Sequence, residues 1–240
     1  MTLRAFQSTL ADLVASPARC LAARADPAAA LAGLDLTDRE RRRLAAVVWQ
    51  RGMSANCTVH RATRITPLYT MLPLTCGLLG DTLAIEADAY WAAGHRLEVR
   101  FDLEIARFAA ALGARLASGA TGLPHAEAIA DVLAIELASE ILKLGIAPKP
   151  PAAGAAWRLD PALQFVALRH DPGALVAAAA NGIAALAQVP RGVHGVLLSI
   201  TDGRLELLAV PPALARPLAA LAGGRLASVP AALAGLAVAA

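Results

Sequence analysis

The sequence predicts an α+β protein in which an N-terminal all-helical bundle precedes a small α+β domain. Apolar residues recur at helical spacing almost throughout residues 1–147. After residue 155, short runs rich in branched and aromatic residues indicate strands. Residues 148–154 contain three prolines, which cannot continue a helix and favour an extended linker. We therefore expect a helical domain at 1–147 and an α+β domain at 155–240.

The composition indicates a protein with a substantial core and no disulfide framework. Apolar residues make up 57% of the 240 residues. No apolar stretch of about 18 residues runs uninterrupted, so the sequence predicts no membrane span. The three cysteines include no Cys-x-x-Cys pair, which favours free thiols. Charged residues interrupt residues 1–24, which therefore lack the apolar segment of a signal peptide, and we expect a cytoplasmic protein.

Local signals place the predicted helices. Thr37 and Glu40 have the Ser/Thr-x-x-Glu spacing of a capping box, which starts a helix that ends near Arg51. Five to seven helices are expected. One is the helix after Thr37, and another carries an apolar stripe over residues 6–14. Further helices are expected over about 55–72, 75–92, 101–117 and 125–144.

The second domain is predicted in the order strand, helix, hairpin, helix. Residues 163–169 and 193–200 are too short and too rich in branched residues for typical helices. Asp202-Gly203 favours a type I′ turn, so residues 196–200 and 205–210 are expected to pair as a hairpin. Helices are expected from 171 to about 187 and from 211 to 223.

A run of arginines follows Thr37. Arg39, Arg42 and Arg43 share one helix face, which we expect to contact a partner protein or solvent. The alternative is a DNA-binding transcriptional regulator that uses this helix. Nucleic acid is disfavoured as a partner because no aromatic residues are interleaved, lysine is scarce and the net charge is only +3.

Two further arginines have a different setting. Arg61 and Arg64 lie in a semi-apolar helix, where a buried guanidinium needs a carboxylate. We expect structural ion pairs with acidic residues of the bundle, of which the candidates are Glu86, Asp88, Glu136 and Glu140.

No set of residues specifies catalysis. Cys57 and His60 have a metal-ligand spacing, but no second pair completes a four-ligand site. There is no nucleophile elbow and no glycine-rich phosphate loop. We therefore expect no catalytic residues, no metal and no cofactor. The enzyme alternative is a hydrolase or a metal-dependent enzyme built on the carboxylates Glu98, Asp102, Glu104, Glu136 and Glu140.

The middle of the chain carries a series of short motifs. His60-Arg61, Leu72-Pro73 and Leu79-Gly80 follow one another in residues 59–80, Tyr90-Trp91 ends the next predicted helix, and residues 123–138 form a leucine-rich run that leads to Glu136. These segments resemble a helical family named for DNA binding, which typically reads Tyr-Arg-x-Asn, Phe-Pro and Leu-Gly. Thr63 stands in place of the family's asparagine.

Proteins with this domain accompany multinuclear non-heme iron-dependent oxidative enzymes in ribosomal-peptide modification clusters. The resemblance implies a heterodimer with a TIM-barrel, iron-dependent peptide-modifying enzyme. The partner contributes no iron ligands, and it holds the precursor peptide and presents it to the barrel.

The second domain suits such a role independently, because an exposed strand edge can bind a leader peptide as a further strand. Peptide-recognition elements of this kind resemble winged helices. Phe165 and Ala167 on the first strand and Leu197 on the next are the candidate peptide-binding residues.

Overall fold

The computed structural model describes residues 3–93, 101–146, 157–223 and 231–239. The predicted linker at 148–154 lies outside these ranges. The predicted fold class is confirmed, since a helical region over residues 3–143 is followed by a small α+β region with a three-stranded antiparallel sheet. The helices of the first region, within the described residues, are α1 (Leu3–Ala15), α2 (Pro17–Ala25), α3 (Pro27–Ala30), α4 (Asp38–Val47), α5 (Arg51–Met71), α6 (Pro73–Leu79), α7 (Thr82–Ala92), α8 (Phe101–Ala117) and α9 (Ala126–Lys143).

These helices outnumber the predicted five to seven because prolines begin several of them. Pro17, Pro27 and Pro73 each occupy the first turn of a helix, where a missing N–H costs nothing. Gly80 adopts a positive φ of 50° and separates α6 from α7, which the sequence predicted as one helix over 75–92. The predicted capping box is confirmed, since Thr37 and Glu40 bond reciprocally at the start of α4.

The second region contains the predicted strands and helices. The Asp202-Gly203 hairpin is confirmed, with positive φ values of 51° and 74° that match a type I′ turn. The helix expected to reach 187 ends earlier, and a 3-10 helix follows. The elements are β1 (Trp157–Leu159), β2 (Leu163–His170), α10 (Pro172–Ala180), a 3-10 helix (Ile183–Gln188), β3 (Arg191–Thr201), β4 (Arg204–Val210), α11 (Pro212–Ala222), a second 3-10 helix (Ala231–Leu236) and β5 (Ala237–Ala239).

The chain forms two compact units whose bounds differ from the predicted domains. Unit 1 comprises Met1–Thr70 and Leu83–Glu104, and unit 2 comprises Met71–Thr82 and Ile105–Ala240. α6 and α9 therefore belong with the sheet. The reason lies in α9, which is buried around most of its circumference and contacts α6, β2 and β3. Its sequence predicts a helix but does not reveal that the helix packs on a sheet.

Unit 1 has an apolar core drawn from its first helices. Apolar side chains from one face of each helix meet there, and α4 and α5 contribute through their buried faces. The core residues are Leu13, Cys20, Ala23, Leu31, Leu44, Val48, Met53 and Cys57.

Unit 2 is built around the sheet, whose strand order is β2-β3-β4 with every pair antiparallel. Side chains alternate between the two faces of a sheet, so Leu197 and Leu198 of β3 point in opposite directions. Leu197 packs in one apolar cluster with α11, whereas Leu198 is fully buried on the other face, where α9 contacts β2 and β3. Both faces of β3 are thus covered. β1 and β5 form a separate antiparallel pair.

Candidate functional site

β4 is an edge strand of the three-stranded sheet. β3 is the central strand, and within the described ranges β4 pairs with β3 alone. The interior of β4, from Leu205 to Ala209, contains no proline or lysine, and its one charged residue is Glu206, whose carboxylate accepts from the Thr201 hydroxyl over 3.2 Å. The N–H and C=O groups on the outer side of β4 can therefore accept a further strand.

Two exposed leucines flank this edge on opposite faces. Leu208 is 65% exposed and lies beside Leu197, which in turn lies beside Phe165. Leu207 is 46% exposed and lies beside the buried Leu198. Each exposed leucine thus lies beside a buried leucine of β3. The alternate side chains of a strand added to β4 would contact Leu207 and Leu208.

The other edge of the sheet, along β2, is partly occupied. The backbone N–H of Arg169 donates to Oδ2 of Asp131 in α9 over 2.7 Å. α9 and α11 both contact β2. The C-terminal part of β2 therefore already uses a main-chain group that an incoming strand would need, and β4 is the more open edge.

The structure places the sequence-predicted peptide-binding residues on β2 and β3. Leu197 is only 7% exposed and lies in the central strand, so it presents no free edge. Phe165 is half-buried in the same cluster, and Ala167 is exposed. Sequence reasoning did not single out Leu207 and Leu208. The signal was available, because two consecutive leucines in a hairpin strand break the alternation expected of a strand with one wet face.

The arginines of α4 fall into two groups, exposed ones and one that bonds within the chain. Arg39, Arg42 and Arg43 are exposed. Arg41 between them folds back and donates to the backbone carbonyl oxygens of Leu31 and Leu34. Three guanidinium groups therefore remain on the surface of α4, and their binding to a partner stays a prediction.

Arg61 and Arg64 both contact carboxylates within unit 1. Arg64 pairs with Glu104, and both side chains are buried. Arg61 pairs with Asp88 over 3.1 Å and also donates to the carbonyl oxygen of Ala84, in a partly exposed position. Arg64 therefore belongs to the interior and Arg61 to the surface.

Glu136 has a different role from the ion pair expected for it. Its two carboxylate oxygens accept the backbone N–H groups of Leu74 and Thr75, over 2.7 and 2.9 Å, at the start of α6. Within the described residues it forms no ion pair. Burial raises the pKa of this carboxyl group, against the opposing effect of the hydrogen bonds from Thr75 and Leu74. Glu136 thus supplies the acceptors for the first turn of α6.

The remaining candidates for chemistry are dispersed. Over the ranges that the structure describes, no group of three or more His, Cys, Asp or Glu side chains is arranged to hold a metal ion. In the acidic cluster, Glu104 is engaged by Arg64, whereas Glu98 and the side chain of Asp102 lie outside the described part of the chain. Cys57 is buried and donates to the carbonyl oxygen of Leu13 over 3.6 Å. His60 has its pKa lowered, chiefly by burial and next by the charge of Arg64.

None of the helices in the described ranges is long and apolar enough to cross a membrane.

Comparison with known proteins does not assign the chain to a family. No known protein family matches the chain, and no curated protein matches it either. The resemblance of residues 59–80 and 123–138 to the iron-enzyme partner proteins therefore remains a hypothesis.

Proposed function

We propose that this chain is a non-catalytic, cytoplasmic partner protein that binds the leader of a ribosomally made precursor peptide and presents the peptide to a multinuclear non-heme iron oxidative enzyme. The observation that carries the proposal is the outer edge of β4, where Leu207 and Leu208 are exposed on opposite faces of a strand that, among the described residues, pairs with β3 alone. The motif series in residues 59–80 and 123–138 supports the choice of enzyme partner.

The leader would bind by strand addition. Hydrogen bonds between main chains give affinity that depends little on sequence, while side chains at alternate positions give specificity. On β4 those positions face Leu208 on the side of α11 and Leu207 on the other. The proposal therefore requires a leader segment that is extended and apolar on both faces opposite these two leucines.

The enzyme would bind elsewhere on the chain. Arg39, Arg42 and Arg43 offer three exposed guanidinium groups on α4 in unit 1, whereas β4 belongs to unit 2. Guanidinium groups pair well with surface carboxylates, so we infer that an acidic patch of the barrel enzyme binds this helix.

The test of the peptide site uses the full-length chain and the labelled leader of the precursor peptide encoded beside its gene. Leu208→Lys puts a charge at the edge, and we expect the leader's Kd to rise at least about tenfold, as measured by fluorescence anisotropy. Leu21→Lys is the matched control, because Leu21 is 61% exposed but lies on α2. The control should bind the leader like the unmodified chain.

Two results would count against the proposal in different ways. If Leu208→Lys and Leu21→Lys bind the leader equally well, the peptide site is not the β4 edge. If the chain binds no neighbouring leader and does not co-purify with a co-expressed neighbouring iron oxidase, the partner function itself is wrong.

One observation favours a second function. The exposed arginines of α4 share a helix face that could contact a DNA backbone, as a transcriptional regulator would require. Such binding would weaken steeply with salt, and neutralising Arg39, Arg42 and Arg43 to Gln would reduce the salt slope by about 2 to 3. Titration of duplex DNA at several salt concentrations measures this slope, and absence of binding at low salt excludes the regulator.

A further inference from the structure

Unit 2 contains a pocket that the proposed peptide site does not use. The pocket has a volume of about 400 Å³ and is lined by the first turn of α9, the end of β2 and the start of β3. His170 of β2 and Arg191 of β3 are paired in the sheet at this place. We call it the dyad pocket. Its lining includes His125, Ala126, Glu127, His170 and Arg191.

A buried histidine and a buried aspartate meet beside this pocket. Nδ1 of His170 lies 2.9 Å from Oδ2 of Asp131, and the two side chains are 6% and 10% exposed. The same Oδ2 accepts the backbone N–H of Arg169. A carboxylate only accepts hydrogen bonds, so Nδ1 carries the proton in this pair. The aspartate thus fixes the orientation of the ring.

The other ring nitrogen of His170 is left for the pocket. Nε2 has no hydrogen-bond partner among the described residues, yet it is not one of the fully enclosed polar atoms. Because the ring lines the pocket, Nε2 is reached from the pocket. This nitrogen is therefore accessible to a hydrogen-bond donor from a ligand or from water.

The start of α9 places two backbone N–H donors at the same pocket. His125 precedes the helix in a left-handed conformation, with φ of 55°, and its side chain does not cap the first turn. In the described part of the chain, no acceptor is bonded to the N–H of Ala126 or Glu127. α9 has 18 residues, and its N-terminus carries a partial positive charge that attracts anions.

The charges around the pocket also favour an anion. Glu127 is held by Arg191 and, over 3.5 Å, by Arg169, so its negative charge is offset. The carboxylate of Asp131 is engaged by His170. The two arginines thus supply nitrogen donors around a pocket whose two nearby carboxylates are already paired. A metal ion would need the opposite arrangement, with several ligands unpaired and converging.

We propose that the dyad pocket binds the phosphate group of a small molecule, whose P–O oxygens accept the N–H groups that begin α9 while its P–OH donates to Nε2 of His170. A carboxylate has no proton to donate, so it cannot form the bond to Nε2 of a ring whose N–H is given to Asp131. This site is independent of peptide binding at β4.

The experiment titrates the full-length, ¹⁵N-labelled chain separately with inorganic phosphate and with acetate, at constant ionic strength set with chloride. We expect saturable binding of phosphate with a shift of the His170 ring nitrogen signals, and no such shift with acetate or with chloride alone. Saturable binding of acetate with the same shift would contradict the contact between P–OH and Nε2.

A matched pair of variants locates the ligand. In His170→Asn the amide nitrogen takes the place of Nδ1 and keeps the bond to Asp131, while Nε2 is lost. The Kd of the anion should rise about tenfold or more, the effect of losing one hydrogen bond to a charged group. His194→Asn, on β3 and outside the pocket lining, should leave the Kd unchanged.

The proposal is overturned if phosphate does not bind saturably, or if His170→Asn binds phosphate as tightly as the unmodified chain. Should that variant fail to fold, the His170 ring signals of the unmodified chain decide the matter. Saturable anion binding that leaves those signals in place would refute the site.

Discussion

Arg64 of α5 and Glu104 of α8 form an ion pair in which both partners are almost fully enclosed. Nε of Arg64 donates to Oε1 of Glu104 over 3.0 Å, and the side chains are only 2% and 4% exposed. The ring of Trp91 lies 4.7 Å from the guanidinium carbon. Bringing both charges out of water offsets much of their attraction, but removing one partner takes a charged hydrogen-bond partner away from the other at a buried position.

The first prediction follows from this burial. Glu104→Gln should lower the free energy of unfolding by about 3 to 5 kcal/mol, because the buried guanidinium of Arg64 loses the negative charge of the carboxylate that it bonds. Asp88→Asn is the matched control at the partly exposed Arg61 pair, where the loss should be about 0.2 to 1 kcal/mol. Urea denaturation of both variants measures the difference, and equal losses would contradict the distinction.

The second prediction concerns pH and Glu136. Burial raises the pKa of this carboxyl group in the folded chain above its usual 4.5. The folded state therefore binds the proton more readily than the unfolded state, so this group's contribution to stability falls as pH rises from about 4.5 through the raised pKa. Glu136→Gln cannot titrate. Urea unfolding over a pH series should show the unmodified chain losing stability relative to the variant as pH rises; the reverse slope would refute the shift.

The third prediction concerns the thiol of Cys76. Burial, and next the charge of Glu136, raise the pKa of this thiol from 9.0 to about 12. Since the thiolate is the reactive form, alkylation of Cys76 in the folded chain at pH 8 should be about a thousandfold slower than in the urea-unfolded chain. Peptide mass spectrometry after timed iodoacetamide treatment measures both rates. Labelling of Cys76 at the unfolded rate would show that the thiol is accessible and that its pKa is not raised.

Short-range features were predictable from the sequence, and long-range ones were not. The capping box of Thr37 and Glu40 and the turn at Asp202-Gly203 depend on residues within a few positions of one another, so local preference decides them. Glu104 as the partner of Arg64 is 40 residues away. A sequence shows that a buried guanidinium needs a carboxylate, but it does not show which of several acidic residues the fold brings near.

The sequence predicted that the candidate site is the edge of a small sheet, but not which edge is open. The pattern of short strands and the hairpin correctly indicated a small antiparallel sheet with two edges. Which edge is covered depends on α9, whose Asp131 bonds to the end of β2. That contact joins residues 38 apart in the chain, so the exposure of Leu207 and Leu208 emerges only with tertiary structure.

The bond between Glu136 and α6 also sets an order of events during synthesis on the ribosome. α6 is seven residues long, too short to persist as an isolated helix, and its acceptor lies 62 residues beyond Leu74. At about 5 to 20 residues per second, the ribosome needs about 3 to 12 s to add that stretch. The nascent α6 must wait for this interval, so unit 1, whose last residue is Glu104, is the part of the chain that can close first.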